Sequence, residues 1–378
     1  MKIAQLNLEQ YDKKAIVQKL KSMGLPTPKT EHLRYFGIRP IIDRDYEYYT
    51  PEVSRIEEGE NILIEDGKVT AAPKSVYVEI EKSSKFDDSH YDQFYYISHL
   101  LSPYVIHIEI DEPGEYKIVQ KFTKNGMLVP YRVKISVKPN IRIKITEDIL
   151  AISDESLYLN GFDIEIGDYA ALTLISNRVT NIEDFTNIGS HYVKVAKDAV
   201  FNLYTFDFGN AKTLHNYHVL LDERAVSDEN HIIFGKEKSK LGNTFHIEHR
   251  GKEAKTTQLS RNILKDKARG IFDGLLIVKN SAKHASIYQD SKTILLNCGA
   301  FMISKPQMEI YTEYIQEATH GSTTGHIDEE QLFYLRQRGI SESEAKEMLV
   351  LSFLNEIFEK LGDEEFKEEF VKIFEESR

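Results

Sequence analysis

The chain has 378 residues, of which 48 are Lys or Arg and 60 are Asp or Glu, so its formal net charge is −12. This length predicts about two or three structural units with a core that folds without disulfides. A single cysteine, Cys298, excludes an intrachain disulfide and a four-cysteine metal site, which favours a reducing compartment and a cytoplasmic location. The acidic balance argues against nucleic acid as a partner, because phosphate binding depends on Lys and Arg.

The beginning of the chain is predicted to be helical and then irregular. The first residues, MKIAQLNLEQYDKK, lack the apolar segment of a signal peptide. No apolar run approaches the ~20 residues that span a bilayer, so we expect no membrane partner. Apolar residues at helical spacing in YDKKAIVQKLKSMG predict one helix that ends at Gly24. Prolines interrupt the sequence after it, and we assign residues 1–75 to an N-terminal helical region.

Residues 76–315 are predicted to form a long series of short strands. Runs of β-branched and aromatic residues such as VYVEI, YVIHIEI, IRIKI and HIIF alternate with polar turns, and no proline occurs between Pro139 and Pro306. Four alanines that follow such turns are spaced by 29, 26 and 29 residues, and they are Ala170, Ala199, Ala225 and Ala254. This repeat indicates a coiled β-solenoid, although the repeat alone also fits a β-sandwich.

Residues 328–378 are predicted to form three amphipathic helices. The second of these begins with a capping box of Ser341 and Glu344 and ends at Gly362. Its predicted apolar stripe consists of Ala345, Met348, Leu349, Leu354, Ile357, Phe358 and Leu361. From residue 341 to the end, twelve acidic and five basic residues give a charge of −7, more than half of the total. The acidic bundle is either a solvated surface or a docking element for a basic partner.

The candidate chemical motifs are few. No GxxxxGK[ST] loop occurs, so we expect no bound nucleotide. His246 and Glu248 share one face of a predicted strand and His249 faces away, which favours structural roles. His320, in ATHGSTTGHIDEE, and Cys298 are candidate ligands for a transition metal. Two ligands do not complete a site, so the pair is either structural or completed by another chain.

Four segments resemble the SufB and SufD family of SUF iron-sulfur cluster assembly proteins. SKPQMEIYTEYIQEATHGSTTGHIDEEQLFYLRQRG and the helical sequence after it are similar to the C-terminal signature of that family. GLPTPKTEHLRYF is similar to a segment near its N-terminus, and FHIEHRGKEAKTTQLSRNILKDKARGIFDG and YQDSKTILLNCGAF are similar to parts of its core. The resemblance implies a mainly β fold, namely a right-handed parallel β-helix core with a helical N-terminal region and a C-terminal helical bundle.

The resemblance also implies partners and a cofactor. An ATPase of the ABC class, SufC, would dock on the C-terminal helices, and the docking residues that we assign are Leu332, Phe333, Leu335, Met348, Leu349 and Phe353. A SufB-like paralogue, or a second copy of this chain, would pair through the β-helix. An iron-sulfur cluster would be held transiently and shared with that partner, with His320 and Cys298 at the interface. The resemblance leaves open whether a flavin joins the complex.

Single positions favour the SufD branch of the family. The SufB motif after the last strand reads approximately HEATTS, whereas here His320 is followed by Gly321. The cysteine with which SufB receives sulfur aligns near Gln289, so this activity is expected to be missing. We therefore predict a non-catalytic scaffold subunit rather than an enzyme. The alternatives are a SufB-like homodimeric scaffold and a β-helix enzyme that acts on a glycan or acyl substrate.

Overall fold

Helices lie towards the two ends of the chain, and strands fill its middle. The structure is a computed structural model that describes residues 1–82 and 86–376. Its helices are α1 (Lys14–Met23), α2 (Arg39–Ile42), α3 (Gln93–Leu101), α4 (Glu329–Gln337), α5 (Glu342–Leu361) and α6 (Glu364–Glu376). The strands of the first part are β1 (Glu47–Tyr48), β2 (Glu57–Glu58), β3 (Ile62–Glu65), β4 (Lys68–Ala72), β5 (Tyr77–Glu81) and β6 (Val105–Ile110).

The strands after β6 become longer and more regular along the chain. The next six are β7 (Gly114–Phe122), β8 (Met127–Pro130), β9 (Arg132–Val137), β10 (Arg142–Ala151), β11 (Leu157–Asn160) and β12 (Phe162–Ile166). They are followed by β13 (Ala171–Thr180), β14 (Thr186–Val195), β15 (Val200–Gly209), β16 (Lys212–Leu221), β17 (Val226–Gly235) and β18 (Lys240–His249). The last strands are β19 (Lys255–Leu264), β20 (Arg269–Val278), β21 (Ser286–Leu295), β22 (Phe301–Ile310) and β23 (Glu317–Gly325).

Two sheets face each other, and the chain passes from one to the other at every turn. Sheet A has the order β22-β20-β18-β16-β14-β12-β9-β6-β5, and sheet B has the order β2-β4-β3-β7-β10-β13-β15-β17-β19-β21-β23. From β13 onwards, even-numbered strands belong to sheet A, odd-numbered strands belong to sheet B, and each strand pairs in parallel with the next strand of its own sheet. This path is a parallel β-helix of about eight turns, which confirms the predicted fold class and excludes the sandwich.

A turn with one left-handed residue sets the length of each coil. Such residues, with φ between 55° and 61°, directly precede the four regularly spaced alanines, and they are Tyr169, Asp198, Arg224 and Glu253. The alanines themselves are buried at 0–1% exposure, so a small side chain fills the inner corner of each turn. The strand register advances by the same 29, 26 and 29 residues from β13 to β19. The repeat of the alanines is therefore the repeat of the coils.

Apolar side chains form separate cores inside the β-helix and on its two outer faces. The inner core lies between the sheets. On the outer face of sheet A, α1 and α3 pack over Leu157, Ile188 and Leu214. On the outer face of sheet B, α5 and α6 cover an apolar surface that includes Phe206 and Phe234. Burial of these faces stabilises the helices, because short helices are marginal in water by themselves.

The C-terminal helices match the predicted boundaries and differ in one packing detail. Ser341 and Glu344 form the capping box of α5, and Gly362 ends the helix with φ 66°. The buried stripe of α5 contains Val350, which is 2% exposed, whereas the predicted member Met348 is 49% exposed. The stripe therefore shifts around the helix, because α5 packs on sheet B as well as on its neighbouring helices. The last strand, β23, extends the solenoid beyond the predicted limit at residue 315.

Candidate interface at the open end of the β-helix

The C-terminal end of the β-helix is open. β22 and β23 are the last strands of their sheets, and no strand in the described part of the chain pairs with their outer edges. Every residue of β23 is exposed, whereas in β21, one coil below, alternate residues are buried. An unpaired strand edge presents backbone N–H and C=O groups that another chain can bind.

Large apolar side chains surround this open end. Four of them are between 39% and 61% exposed on or just after the last strands of sheet A, and they are Phe301, Ile310, Tyr311 and Tyr314. Tyr288 of β21 adds a fifth at 39% exposure. Exposed aromatic residues beside an unpaired edge are typical of a protein interface, because they supply buried area once a partner covers them.

His320 lies in the middle of β23, where it pairs with Gln289 of β21. Its side chain is exposed, whereas Gln289 is 0% exposed. The resemblance places the sulfur-accepting cysteine of SufB near the position of Gln289, and this position is the ladder neighbour of His320. An amide occupies it, and an amide cannot act as a thiolate nucleophile.

The residue after His320 lacks a side chain without a steric reason. Gly321 pairs with Asp290, and a Cβ at Gly321 would approach only Asp290 Oδ1, at 3.7 Å. A larger residue would therefore fit at this position. The absence of a second carboxylate beside Asp290 is a difference in chemistry from the SufB motif and does not result from limited space.

Cys298 lies away from His320, in the turn between β21 and β22. Its thiol is free and exposed. It lines a cavity of about 440 Å³ between the β-helix and the C-terminal helices, together with His326, Lys346 and Val350. Gln289, the ladder partner of His320, is six residues from the end of β21 at Leu295, which corresponds to about 20 Å along the strand, and Cys298 lies beyond that end. The structure therefore does not bring Cys298 and His320 together as ligands of one site.

Other histidines of the sheets lie in structural contacts, and His246 is half-buried and stacks on Tyr91 with ring centroids 3.6 Å apart. His218 is 3.4 Å from Glu248 through its Nε2 atom, and His249 Nε2 is 2.8 Å from Thr256 Oγ1. Burial lowers the pKa of His246 to about 3 and that of His249 to about 4. Among residues 1–82 and 86–376, no group of three or more His, Cys, Asp or Glu residues is arranged to hold a metal ion. These positions agree with structural roles for the buried histidines.

The predicted docking residues of the C-terminal helices occupy three kinds of position. Phe333 and Met348 are 61% and 49% exposed. Leu335, Leu349 and Phe353 are half-buried. Leu332 is 5% exposed, so its side chain belongs to the helical core and not to the surface. Tyr334, which the sequence analysis did not single out, is 55% exposed next to Phe333.

A buried arginine connects the helices to the last coils. Arg261 of β19 is 1% exposed, and its Nη2 atom donates to Asp290 Oδ2 at 2.7 Å and to Glu356 Oε2 of α5 at 2.6 Å. Lys144 Nζ binds Asp363 Oδ2 at 3.0 Å, and the pKa of Asp363 is lowered by the backbone N–H of Phe366 and by Lys144. Asp290 is also the strand neighbour of Gln289, so the contacts of Arg261 join the helical domain to the open end, whereas Lys144 joins it to the earlier strand β10.

A family model described as "SUF system FeS cluster assembly, SufBD core domain" matches residues 120–353. This match covers more than half of the chain. The chain belongs to the SufBD family. The matched SufBD core region begins in β7, contains every later coil of the β-helix and ends within α5, so it includes His320 and all six predicted docking residues.

Curated relatives agree with this assignment. The chain is 24% identical to the iron-sulfur cluster assembly protein SufD of Escherichia coli, over 93% of this chain and 89% of the relative. It is 28% identical to SufD of Plasmodium falciparum, over 67% of this chain and 17% of that longer protein. It is 25% identical to a SufBD family protein of Synechocystis, over 67% of this chain and 58% of the relative. The predicted likeness to SufD is confirmed.

These findings support a role for this SufBD family member in SUF iron-sulfur cluster assembly. The family match and the SufD relatives also favour this role over that of a glycan-active β-helix enzyme. In the part of the chain that the structure describes, no helix is both long and apolar enough to cross a bilayer.

Proposed function

We propose that this chain is a non-catalytic scaffold subunit of a cytoplasmic SUF complex. It would pair with a SufB-like subunit through the open end of its β-helix and bind an ABC-type ATPase through its C-terminal helices. The observation that carries the proposal is the uncovered last coil, where the exposed His320 lies on an unpaired strand with aromatic side chains around it.

Pairing at this end would complete both the sheets and the apolar surface. A partner strand can use the unpaired backbone groups of β22 or β23, as in strand addition to a sheet edge. The aromatic residues beside the edge would then lose their contact with water, which favours association. The pairing surface is therefore both polar along the strand and apolar at its margin.

The cluster in this proposal is a cargo that two subunits share. His320 can offer one imidazole nitrogen to iron at the paired edge, but iron-sulfur clusters are held mostly by thiolates. Cys298 lies too far along the coil to add its thiolate to His320. The thiolates would therefore come from the partner, and His320 would contribute a single ligand or a proton.

The ATPase would contact the acidic helical domain. Most of the acidic residues of α5 and α6 are exposed, and Phe333, Tyr334 and Met348 add exposed apolar area to the same domain. The contact of Arg261 with Glu356 and Asp290 provides a physical route from these helices to the last coils. A movement of α5 on ATP binding would thus reach the strand that neighbours His320.

Pairing is tested by native mass measurement after co-expression with SufB-like and ABC-type ATPase candidates. We expect a complex that contains one copy of this chain, one SufB-like chain and the ATPase. Phe301→Asp, at the open end, should weaken the complex at least about tenfold, because a charge is then placed in the interface. Tyr169→Asp is the matched control, since Tyr169 is 58% exposed on an earlier coil, compared with 54% for Phe301.

Three outcomes distinguish the alternatives. A stable dimer of this chain with the ATPase would replace the SufD-like role by the homodimeric scaffold. Equal weakening by Phe301→Asp and Tyr169→Asp would remove the open end as the pairing surface. Hydrolysis of a glycan or an ester by the isolated chain, lost on substitution of a surface carboxylate, would favour the β-helix enzyme.

The role of His320 is tested by cluster reconstitution on the purified complex. We expect His320→Ala to lower the cluster yield while the subunit masses stay unchanged. His326→Ala is the control, because His326 is an exposed histidine that follows the same strand and lies beside Cys298 instead. A normal cluster yield with His320→Ala would contradict the role.

A further inference from the structure

A column of polar side chains occupies the interior of the last coils. Glu229, Gln258, Gln289 and His320 hold the same ladder position on β17, β19, β21 and β23. The first three residues are each 0% exposed. In earlier coils the same position is apolar, with Ile145, Leu174 and Leu203. The polar column therefore begins at Glu229 and continues to the open end.

The hydrogen bonds along this column all run in one direction. Gln258 Nε2 donates to Glu229 Oε2 at 2.8 Å, and Gln289 Nε2 donates to Gln258 Oε1 at 2.6 Å. The other oxygen of Glu229 accepts from Ser227 Oγ at 3.0 Å. Because both carboxylate oxygens accept, the amide of Gln258 must turn its NH₂ group towards Glu229 and its oxygen towards the next coil. The same constraint then applies to Gln289.

The orientation of the last amide is fixed from two sides. Gln289 Nε2 also donates to the backbone oxygen of Gly274 in sheet A, at 3.2 Å, so both of its hydrogens are used. Gly274 provides the space for this contact, because a Cβ at that position would lie 2.1 Å from Gln289 Nε2. The carbonyl side of the Gln289 amide therefore faces away from Gln258.

The column ends in an acceptor that has no donor. Gln289 Oε1 is buried and has no hydrogen-bond partner among the described residues. A buried polar atom without a partner is unfavourable, and such atoms in native proteins usually have a structural or functional reason. The next ladder position, about 4.8 Å further along the column, belongs to His320.

We propose that Gln289 is a positioning residue: when the exposed ring of His320 turns onto the column, the unpartnered Gln289 Oε1 accepts the N–H of one ring nitrogen, and the other ring nitrogen faces the open end. This inference rests on the proposed function of His320. The amide fixes both the tautomer and the plane of the ring, as outer hydrogen-bond partners do for histidines that bind metals. The buried Glu229 sets the donor-to-acceptor direction of the hydrogen bonds along the column. It thereby sets the tautomer of the His320 ring, three coils away.

The proposal is tested by nitrogen NMR of the full chain with ¹⁵N-labelled histidine. The signals of His320 are assigned by their loss in His320→Gln. In the unsubstituted chain we expect one tautomer of His320 to dominate. Gln289→Met keeps the length of the side chain and removes the acceptor, so the ratio of the two tautomers should change at least about threefold, as for the loss of one hydrogen bond.

A matched control and a distant variant complete the test. Thr293→Val lies on the same strand and the same buried face, four residues from Gln289, and should leave the tautomer ratio of His320 unchanged. Glu229→Gln conserves shape but can donate as well as accept, so the column can reverse and the dominance of one tautomer should weaken. This second variant keeps the test valid if Gln289→Met does not fold.

The outcome that overturns the proposal is a tautomer ratio of His320 that is the same in the unsubstituted chain, Gln289→Met and Glu229→Gln. The measurement uses the isolated chain without a partner or a cluster. A negative result would therefore leave the pairing and docking proposals intact, and a failure of pairing would leave the tautomer result intact.

Discussion

Buried histidines make the stability of this protein sensitive to pH. Burial lowers the pKa of seven of them, namely His90, His99, His191, His215, His231, His246 and His249. Each takes up a proton more readily in the unfolded chain than in the folded protein. Their contribution to stability is therefore fully present above the unfolded pKa of about 6.5 and is lost as the pH falls towards their lower folded pKa values.

We expect the free energy of unfolding to fall steeply between pH 7 and pH 5. Each such histidine contributes a slope of up to about 1.4 kcal/mol per pH unit, and several together rival the whole stability of a typical domain. Denaturant midpoints at half-unit pH steps measure the slope. His249→Gln removes one such histidine, so the slope should become smaller by up to about 1.4 kcal/mol per pH unit. A denaturant midpoint that is constant from pH 7 to pH 5 would contradict the prediction.

At the residue scale, sequence reasoning identified His320 but not its surroundings. The HG dipeptide is visible in the sequence, and alignment to a family segment placed Gln289 at a position of interest. The polar column needs the strand register, because Glu229, Gln258 and Gln289 are 29 and 31 residues apart and no local pattern relates them. The pairing of Cys298 with His320 was proposed from residue type alone, and the direction of β21 separates them.

Among the elements, α5 combines a clear sequence signal with contacts to both sheet B and its neighbouring helices. Its capping box and its terminal glycine follow from local chemistry, so the sequence predicted both ends. The buried face could not be predicted as well. Residues such as Val350 are buried because α5 contacts both a sheet and a helix, and the second contact depends on the tertiary structure.

Loss of the cap should loosen α5 without unfolding the β-helix. Ser341→Ala removes the side chain that accepts from the backbone N–H of Glu344, at a cost of about 1 kcal/mol. Hydrogen exchange should then become faster in the first turn of α5. Ser343→Ala is the control, since Ser343 lies within the helix, where alanine is favourable. Equal exchange rates in the two variants would exclude a capping contribution.

Docking of the ATPase should depend on the exposed apolar residues of α4 and α5. We expect the double variant Phe333→Ser and Met348→Ser to weaken ATPase binding at least about tenfold, because a few exposed apolar residues supply most of the energy of a typical interface. Titration calorimetry with an ABC-type ATPase measures the affinity. Leu332→Ser is unsuitable because that side chain is buried.

The control for docking is the double variant Ile152→Ser and Tyr169→Ser. These residues are 73% and 58% exposed on earlier coils of the β-helix, far along the chain from α4. They remove a comparable amount of exposed apolar surface. If both double variants bind the ATPase equally well, the helical docking surface is excluded.

As a whole, the molecule is a solenoid whose coils depend on their neighbours and on the helices at its sides. The alanine repeat revealed the coil length from the sequence, because the turn geometry constrains the same residue in each coil. The packing of the helices on opposite sheets could not be predicted from the sequence. The strand patterns on both outer faces are those of half-buried strands, and they do not indicate which helix covers which face. The solenoid follows from local repetition, and the positions of its helices follow from long-range burial.

Removal of the C-terminal helices should therefore damage the whole molecule. A chain that ends at residue 325 would expose the outer face of sheet B, including Phe206, Phe208 and Phe234. We expect aggregation and strong binding of a hydrophobic dye, because an exposed apolar patch on a sheet promotes association. A chain that ends at residue 362 should show a smaller effect, since α5 remains. If the chain that ends at residue 325 is monomeric and does not bind the dye, the prediction is wrong.

The two ends of the β-helix differ in a way that limits how many chains can join. At the N-terminal end, sheet B finishes in the two-residue strand β2, and sheet A finishes in the antiparallel strand β5, which carries Glu79 and Glu81. Short and charged edges of this kind resist the addition of further strands. If a partner adds at the open end, as proposed, the blocked end would stop end-to-end stacking after a single step. In the proposed pairing, the fold would thus yield a closed pair and avoid the fibre that a symmetric solenoid would form.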